Sequence, residues 1–348
     1  MHALLQPAKL RGGDRVAILS PSFAAPAAAP AIHEQAMTRF AETTGLVPVE
    51  FPTTRQLGAT PEERAADFNR ALADRSIRAI VSTLGGDDQI RLIRHLDARL
   101  LRSDPKPFLG YSDNTNILNW MWTHGVAGFY GGSTQVHFGP GPGTDDAHIR
   151  TLMAALRDGG ELELVDPGES EDHGIDWQDS RALTEFGHRE PTEPWRWFGP
   201  QRSVTGTTWG GCLEIIDWLG LADRIPNNED LRGAILLLET SEELPSTETV
   251  RRWVRALGER GLLEVIAGAV IARPPVTEMG GELEPVDERR ALRTEQYEAI
   301  FSELSAYNSE AVMCAGPPFG HTRPQLIVPF GGKVTIDGLH RRIFASYA

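Results

Sequence analysis

The sequence is poor in cysteine: Cys212 and Cys314 are the only two in 348 residues, and they form no Cys-x-x-Cys pair. A disulfide framework and the usual metal-ligand spacings are thereby excluded, and a reducing compartment is the simpler setting. Positive charge is also short. Lys and Arg number 34 against 48 Asp and Glu, a formal net charge of −14, which is the wrong sign for a chain that tracks a phosphate backbone or lies on an anionic membrane. Neither nucleic acid nor membrane is expected as a partner. No run approaches the ~20 apolar residues of a membrane span. The start, Met1 to Pro7, lacks a cationic segment followed by an apolar core, and the Ala/Pro-rich stretch 23–32 is too short and too broken by proline to be a signal core. The expected location is the cytoplasm. What the chain does have is apolar substance: 41% hydrophobic and 24% charged residues over a length able to bury a sizeable core, in two domains or one large one.

Val16-Ala17-Ile18-Leu19 follows a turn at Gly12-Gly13-Asp14 and runs into Ser20-Pro21-Ser22, which predicts a short buried strand ending in a loop, with a helix from Pro30. Val47-Pro48-Val49 is strand-like. Thr60-Pro61-Glu62-Glu63 then supplies an N-cap, a proline at the first helical position and acid in the first turn, which predicts a helix to about Asp74. Residues 79–83 read as a buried strand closed by Leu84-Gly85-Gly86-Asp87-Asp88, and residues 90–100 have helical periodicity. Residues 107–110 enter a tight turn at Tyr111-Ser112-Asp113, followed by a helix over 115–123. Strand, loop and helix repeated this way predict an α/β layer with a mostly parallel sheet. Composition turns to Gly and Pro at 139–143, and residues 158–201 are acidic, polar and punctuated by Trp without steady periodicity. Beyond them, 204–209, 233–238 and 265–272 read as strands and 247–260 and 288–304 as helices; 325–330 and 333–336 around Gly331-Gly332 predict a hairpin, with a further strand at 342–344. The expected organisation is an N-terminal α/β domain over 1–157, a linker or lid over 158–201, and a C-terminal domain over 202–348.

Four segments could carry chemistry. Gly110-Tyr111-Ser112-Asp113 puts a serine on a sharp turn between an apolar strand and a helix, which exposes Oγ and sets the next backbone N–H beside it, although Gly-x-Ser-x-Gly is absent and a Ser-Asp pair before a helix also serves as a plain N-cap. Gly85-Gly86-Asp87-Asp88 lies between strand and helix, where backbone N–H groups can face an anion; it is neither a dinucleotide fingerprint nor a P-loop, and a tight turn alone would account for it. Leu238-Glu239 ends a continuously apolar strand with a carboxylate, which either finds a buried partner such as a histidine or opens a solvated acidic loop. His321 stands in the rigid loop Pro317 to Pro324, and its interest is that Ser112 would need a general base. Trp177, Trp195, Trp197 and Trp209 fall within or just after the linker, as a lid over a planar ligand or as packing at the domain junction.

In order, these segments resemble the LD-carboxypeptidase family of serine peptidases, and within it the microcin-immunity branch. The markers are Gly13-Asp14-Arg15-Val16 to Ser20-Pro21-Ser22, Gly85-Gly86-Asp87-Asp88, Gly110-Tyr111-Ser112-Asp113-Asn114-Thr115, Phe129-Tyr130-Gly131, Gly210-Gly211-Cys212-Leu213, Leu237-Leu238-Glu239-Thr240-Ser241, and Gly320-His321-Thr322-Arg323-Pro324 running into Val328-Pro329-Phe330-Gly331. The resemblance implies a flavodoxin-like parallel-sheet N-terminal domain and a smaller, β-rich α/β C-terminal domain. It implies Ser112 as nucleophile, His321 as its base, Glu239 as the carboxylate that orients the imidazole, and the N–H groups of Gly86 and Asp113 as oxyanion donors. Gly85 and Asp87 would border the substrate, and Trp195 or Trp197 is the nearest match to a loop tryptophan that stacks on a nucleobase. No metal and no cofactor is implied; the partner is a small-molecule or short-peptide substrate, and a homodimer is expected. Two departures stand out. The family usually has Asn where Cys212 follows the two glycines, and the immunity branch can carry a cation just after the catalytic Glu, where this chain has Glu242 and Glu243, so that a phosphate would be poorly received. The activity implied is cleavage of amide bonds in peptidyl or aminoacyl nucleotide toxins. The rivals are trimming of murein tetrapeptide and, from another class, a non-enzymatic two-lobe small-molecule binding protein.

Overall fold

The computed structural model describes residues 4–348. Its first sheet has six strands in the order β14, β5, β4, β3, β1, β2. β1 (Arg15–Leu19), β2 (Val47–Glu50), β3 (Ile77–Ser82), β4 (Phe108–Gly110) and β5 (Gly128–Tyr130) pair in parallel, and β14 (Val328–Phe330) closes one edge antiparallel to β5. Parallel neighbours need crossovers, which here carry the helices Pro30–Thr44, Pro61–Ala73 and Thr115–Thr123. The helix start read at Thr60 is a capping box: Thr60 Oγ1 accepts from the Glu63 N–H at 3.2 Å, and the Glu63 carboxylate accepts from the Thr60 N–H at 2.8 Å.

The second sheet has eight strands in the order β6, β16, β15, β10, β11, β12, β13, β9. Its centre is parallel: β10 (Ser203–Cys212), β11 (Ile235–Glu239), β12 (Gly268–Ile271) and β13 (Val312–Ala315). β15 (Lys333–Asp337), β16 (Arg342–Ser346), β6 (Glu161–Leu164) and β9 (Arg196–Phe198) flank it antiparallel. Both outer strands, β6 and β9, thus come from the segment whose composition reads as linker. The chain between them adds the small pair β7 (Glu169–Ser170) and β8 (Glu190–Pro191). Buried arginines fasten it down: Arg293 donates to Glu190 at 2.9 Å and to Asp172 at 3.0 Å, and Arg273 and Arg289 also meet Glu190.

Two local expectations are corrected. Strands 328–330 and 333–337 are not a hairpin; the chain leaves the first sheet at Gly331-Gly332 and enters the second, where β15 pairs with β10 and β16 instead. Residues 90–100 are not one helix but two 3-10 turns, Gln89–Arg91 and Ile93–His95, and a short helix Ala98–Ser103 capped by the Asp97 carboxylate on the Arg99 N–H. Among the described residues no helix is long and apolar enough to cross a membrane.

Candidate functional site

β4 delivers the chain to Ser112, which sits at φ +61° as the first residue of the 3-10 turn Ser112–Asn114, ahead of the helix Thr115–Thr123. A non-glycine residue held there costs on the order of 1–3 kcal/mol and persists only when its surroundings over-determine it. They do. Asp113 is fully buried; its carboxylate accepts from Ser22 Oγ at 2.6 Å, the Gln89 N–H at 2.9 Å and Asn116 Nδ2 at 2.9 Å. Burial raises its carboxyl pKa, against those hydrogen bonds. Gln89 Nε2 donates to Asn114 Oδ1 at 2.9 Å, and Asn114 Nδ2 donates to the Leu84 carbonyl at 3.2 Å. The loop Leu84 to Gln89 is thereby fastened to the serine turn from both sides. At Gly85 a Cβ would fall 2.9 Å from Ser112 Cβ and 3.0 Å from its Oγ, so only glycine lets the loop backbone approach this closely.

β11 ends on Glu239, which is 2% exposed. One carboxylate oxygen accepts from the Tyr130 hydroxyl at 2.5 Å and the other from His321 Nδ1 at 2.6 Å. Tyr130 Oη also accepts the Ser112 N–H at 3.2 Å, so one buried phenol ties the serine turn to the carboxylate. The His321 loop lies directly on Glu239, since a Cβ at Gly320 would come within 2.7 Å of Glu239 Oε2. Gln325 steadies that loop, donating to the Gly320 carbonyl and accepting the Gly132 N–H, both at 2.7 Å. The Glu239 contact commits Nδ1 to donate, which leaves Nε2 as the proton acceptor of the neutral ring. Nε2 does not reach Ser112. It lies 3.1 Å from Glu242 Oε2, close enough for a charge contact but off the line of a hydrogen bond, and Ser112 Oγ has no hydrogen-bond partner among the described residues.

Ser112, His321 and Glu242 line one cleft of about 310 Å³, together with Gly85, Gly86 and Asp87. Burial alone would lower the His321 pKa, but Glu239, Glu242 and Glu214 outweigh it and raise it to about 9. The Tyr111 ring packs edge-on to the imidazole at 5.0 Å, and His137 and Arg323 are the other titratable or cationic neighbours on that side. A histidine acts as a general base only when neutral, so on the mechanism proposed below kcat/KM should climb roughly tenfold per pH unit from about pH 7 and level off at about pH 9. A pH–rate profile checks this; a plateau already reached at about pH 6.5, the ordinary histidine value, would contradict it. A larger cleft of about 890 Å³, reaching Trp120, His124 and Arg260, contains none of these groups.

The structure therefore brings Ser112, Gly85, Gly86, Asp87 and His321 to one cleft, with Glu239 behind the histidine and Asp113 beneath the serine. Trp195 and Trp197 are not part of it. Trp197 belongs to edge strand β9, opposite Cys314 of β13, and Trp195 packs on Gly316 and the core. The aromatic side chains that do line the cleft are Phe23, Tyr111 and Trp218. Tyr130, Gln89, Ser22 and Trp218 were not singled out as site residues by the sequence; the one usable signal was Tyr130 ending a buried strand before two glycines. Cys212 is buried, and its thiol donates to Glu214 at 3.2 Å. Among the described residues no group of three or more His, Cys, Asp and Glu is arranged to hold a metal ion.

Residues 16–131 match the LD-carboxypeptidase N-terminal domain and residues 205–336 the LD-carboxypeptidase C-terminal domain, together more than two thirds of the chain. The chain is 28% identical over 332 residues to a Vibrio cholerae protein named provisionally as a carboxypeptidase, covering 93% of this chain and 92% of that one. It is 26% identical over 285 residues to the microcin C7 self-immunity protein MccF of Escherichia coli, covering 80% and 76%. The structure of MccF bound to aspartyl sulfamoyl adenosine shares the fold at a TM-score of 0.83 and 24% identity over 98% of both chains. With both halves matched in order and the same two-domain α/β architecture, the chain belongs to the LD-carboxypeptidase family, peptidase family S66, and is a hydrolase of the serine-peptidase type.

Proposed function

We propose that this chain is an amidohydrolase of the microcin-immunity kind, in which Ser112 is the nucleophile, His321 its base and Glu239 the group that orients the imidazole. The observation that carries the reading is the strained Ser112 turn facing, across one cleft, a histidine whose Nδ1 is held by a buried carboxylate. Ser112 Oγ attacks the substrate carbonyl carbon and its proton passes to His321 Nε2; the N–H groups of Gly86 and Asp113 receive the oxyanion. As the C–N bond breaks, His321 returns the proton to the leaving nitrogen. Water, deprotonated by His321, then cleaves the Ser112 ester and releases the acid. Nε2 turns from Glu242 to Ser112 when substrate enters, and Glu242, 60% exposed, is free to withdraw.

MccF, which has been crystallised with glutamyl sulfamoyl guanosine and aspartyl sulfamoyl adenosine, points to aminoacyl nucleotides as the substrate class. A second reading, trimming of murein peptide, is favoured by a Bacillus subtilis relative named as a probable murein peptide carboxypeptidase, 25% identical over 289 residues. The deciding experiment is turnover of an aminoacyl sulfamoyl adenosine against an LD-tetrapeptide. Trp218 sharpens it. On the nucleotide reading Trp218→Ala removes a face worth about 1–3 kcal/mol of base stacking, a loss of roughly 5- to 150-fold confined to the adenosine substrate, whereas Trp197→Ala leaves both rates unchanged. Equal loss of both substrates in Trp218→Ala, or preferential cleavage of the tetrapeptide by the unaltered enzyme, favours the murein reading.

A further inference from the structure

Two clefts of the molecule carry opposite charge. The Ser112 cleft is lined by Asp87, Glu214, Glu242 and Glu243 and by no Lys or Arg. The larger cleft, of about 890 Å³, shares no lining residue with it and is lined by Arg102, Arg224 and Arg260. It lies where the end of the helix Thr115–Thr123 meets segment 223–230 and Arg260, the residue that follows the helix Thr247–Glu259. Each guanidinium there is held by backbone carbonyls, which orient it without neutralising it. Arg102 Nη1 donates to the His124 carbonyl at 3.0 Å, Arg224 Nη1 to the Ile90 carbonyl at 2.9 Å, and Arg260 Nη2 to the Ile225 and Pro226 carbonyls, both at 3.2 Å. Among the described residues none of the three is ion-paired to a carboxylate, although Arg99, Arg232 and Arg255 nearby in the chain are, to Asp97 at 2.8 Å, Glu229 at 2.5 Å and Glu303 at 2.6 Å. Asp223 and Asp230 also line the cleft, both exposed, and pair with none of the three. Burial lowers the Arg224 pKa and nearby Arg94 lowers it further, with no carboxylate paired to either. Asn116, 1% exposed, lines the same cleft with an Oδ1 that has no hydrogen-bond partner.

We propose that this larger cleft is a second binding site, which takes a phosphate-bearing small molecule on Arg102, Arg224 and Arg260. A guanidinium matches phosphate oxygens with a fork of N–H donors and keeps its charge at any physiological pH. Anchoring by carbonyls leaves these side chains less freedom to lose when an anion arrives, which favours binding. Asn116 offers a hydroxyl of the same ligand an acceptor. A volume of about 890 Å³ falls in the range of pockets that enclose organic ligands and is more than a bare phosphate ion fills. The phosphate could be borne by an organic body or by inorganic polyphosphate, and the probes below separate the two. The proposal stands apart from the hydrolase reading, because none of its residues lies in the Ser112 cleft.

The test is calorimetry on the full chain in a phosphate-free buffer, with pyrophosphate, glucose 6-phosphate, ADP and, as the uncharged control, glucose. At least one phosphate probe should bind with a Kd below about 0.1 mM and glucose should not bind. Arg102→Gln and Arg260→Gln should each weaken that probe by about tenfold; both side chains are exposed, and an unchanged melting temperature shows that the fold is kept. Asp223→Asn removes a carboxylate from the cleft at φ +55°, a conformation asparagine tolerates, and should tighten the probe by about threefold, a gain that no folding defect produces. Trp218→Ala, in the other cleft, should leave the Kd unchanged. Tighter binding of ADP or glucose 6-phosphate than of pyrophosphate assigns the site to an organic phosphate, and the reverse order assigns it to inorganic polyphosphate. Absence of any Kd below about 1 mM, affinity indifferent to both arginine variants, or affinity lost in Trp218→Ala, which would place the probe in the Ser112 cleft, overturns the proposal.

Discussion

Replacing Ser112 by alanine is expected to lower turnover by about 10⁴-fold or more while moving substrate affinity little. In the proposed mechanism the side chain contributes the attacking oxygen, and among the described residues Ser112 Oγ makes no hydrogen bond, so its removal takes no hydrogen bond from the turn. The backbone that positions it is held by other residues: the Ser112 N–H by Tyr130, the neighbouring Asp113 carboxylate by Ser22, Gln89 and Asn116. Alanine at φ +61° keeps the strain that serine already bears, and the melting temperature should shift by only a degree or two. Single-turnover hydrolysis and calorimetric Kd on the same preparation separate chemistry from binding. Turnover within tenfold of the unaltered enzyme would remove Ser112 from the reaction. A serine-directed fluorophosphonate should label the unaltered protein and leave the alanine variant unlabelled, which ties the loss to the one hydroxyl.

The parts legible in the sequence were those set by local chemistry. The Thr60 capping box, the buried runs that became β1, β3 and β11, and the tight turn at Ser112 each follow from a few adjacent residues, and each formed. The parts that misled were decided by distant partners. Gly331-Gly332 looked like a hairpin turn because apolar runs flank it, yet Val328–Phe330 finds its partner at Gly128–Tyr130, in the other sheet. The helical period over 90–100 was real in the apolar positions, but Gln89 is claimed at backbone and side chain by Asp113 and Asn114, and the chain starts its helix only after Asp97. Linker composition at 158–201 hid the edge strands β6 and β9 because each is only three or four residues long and gains its order from a sheet built elsewhere. For the same reason the linker tryptophans drew attention and Trp218 did not: its helix, Leu213–Leu221, is apolar on most sides, so nothing in its spacing marks which aromatic ring is left facing a cleft. The charge of the cleft was half visible, as Glu242 and Glu243 following Glu239. That Glu242 would turn back onto His321 required the fold.

Glu239→Gln is expected to cost about 10³- to 10⁴-fold in kcat, nearly as much as losing the nucleophile, although it alters a single atom. Glu239 accepts on both oxygens, from Tyr130 and from His321 Nδ1. Glutamine can accept on only one. If its carbonyl keeps the Tyr130 hydroxyl, its NH₂ faces Nδ1 and donates to it, which fixes the proton on Nε2 and leaves that atom unable to take one from Ser112. The same change removes the largest of the charges that raise the His321 pKa, so the ascending limb of the pH–rate profile moves down from about 9 while the plateau collapses. A merely structural defect would lower the plateau without moving the limb. Glu242→Gln supplies the internal comparison: it too shifts the limb down, since Glu242 is the next charge in order, but it leaves Nδ1 with its acceptor and therefore keeps the tautomer. The expected pattern is two variants with lowered apparent pKa, of which only Glu239→Gln loses the plateau on an uncharged acyl substrate. Retention of more than a tenth of the plateau in Glu239→Gln, with its fold intact by circular dichroism, would show that the imidazole is oriented by something other than the carboxylate at the end of β11.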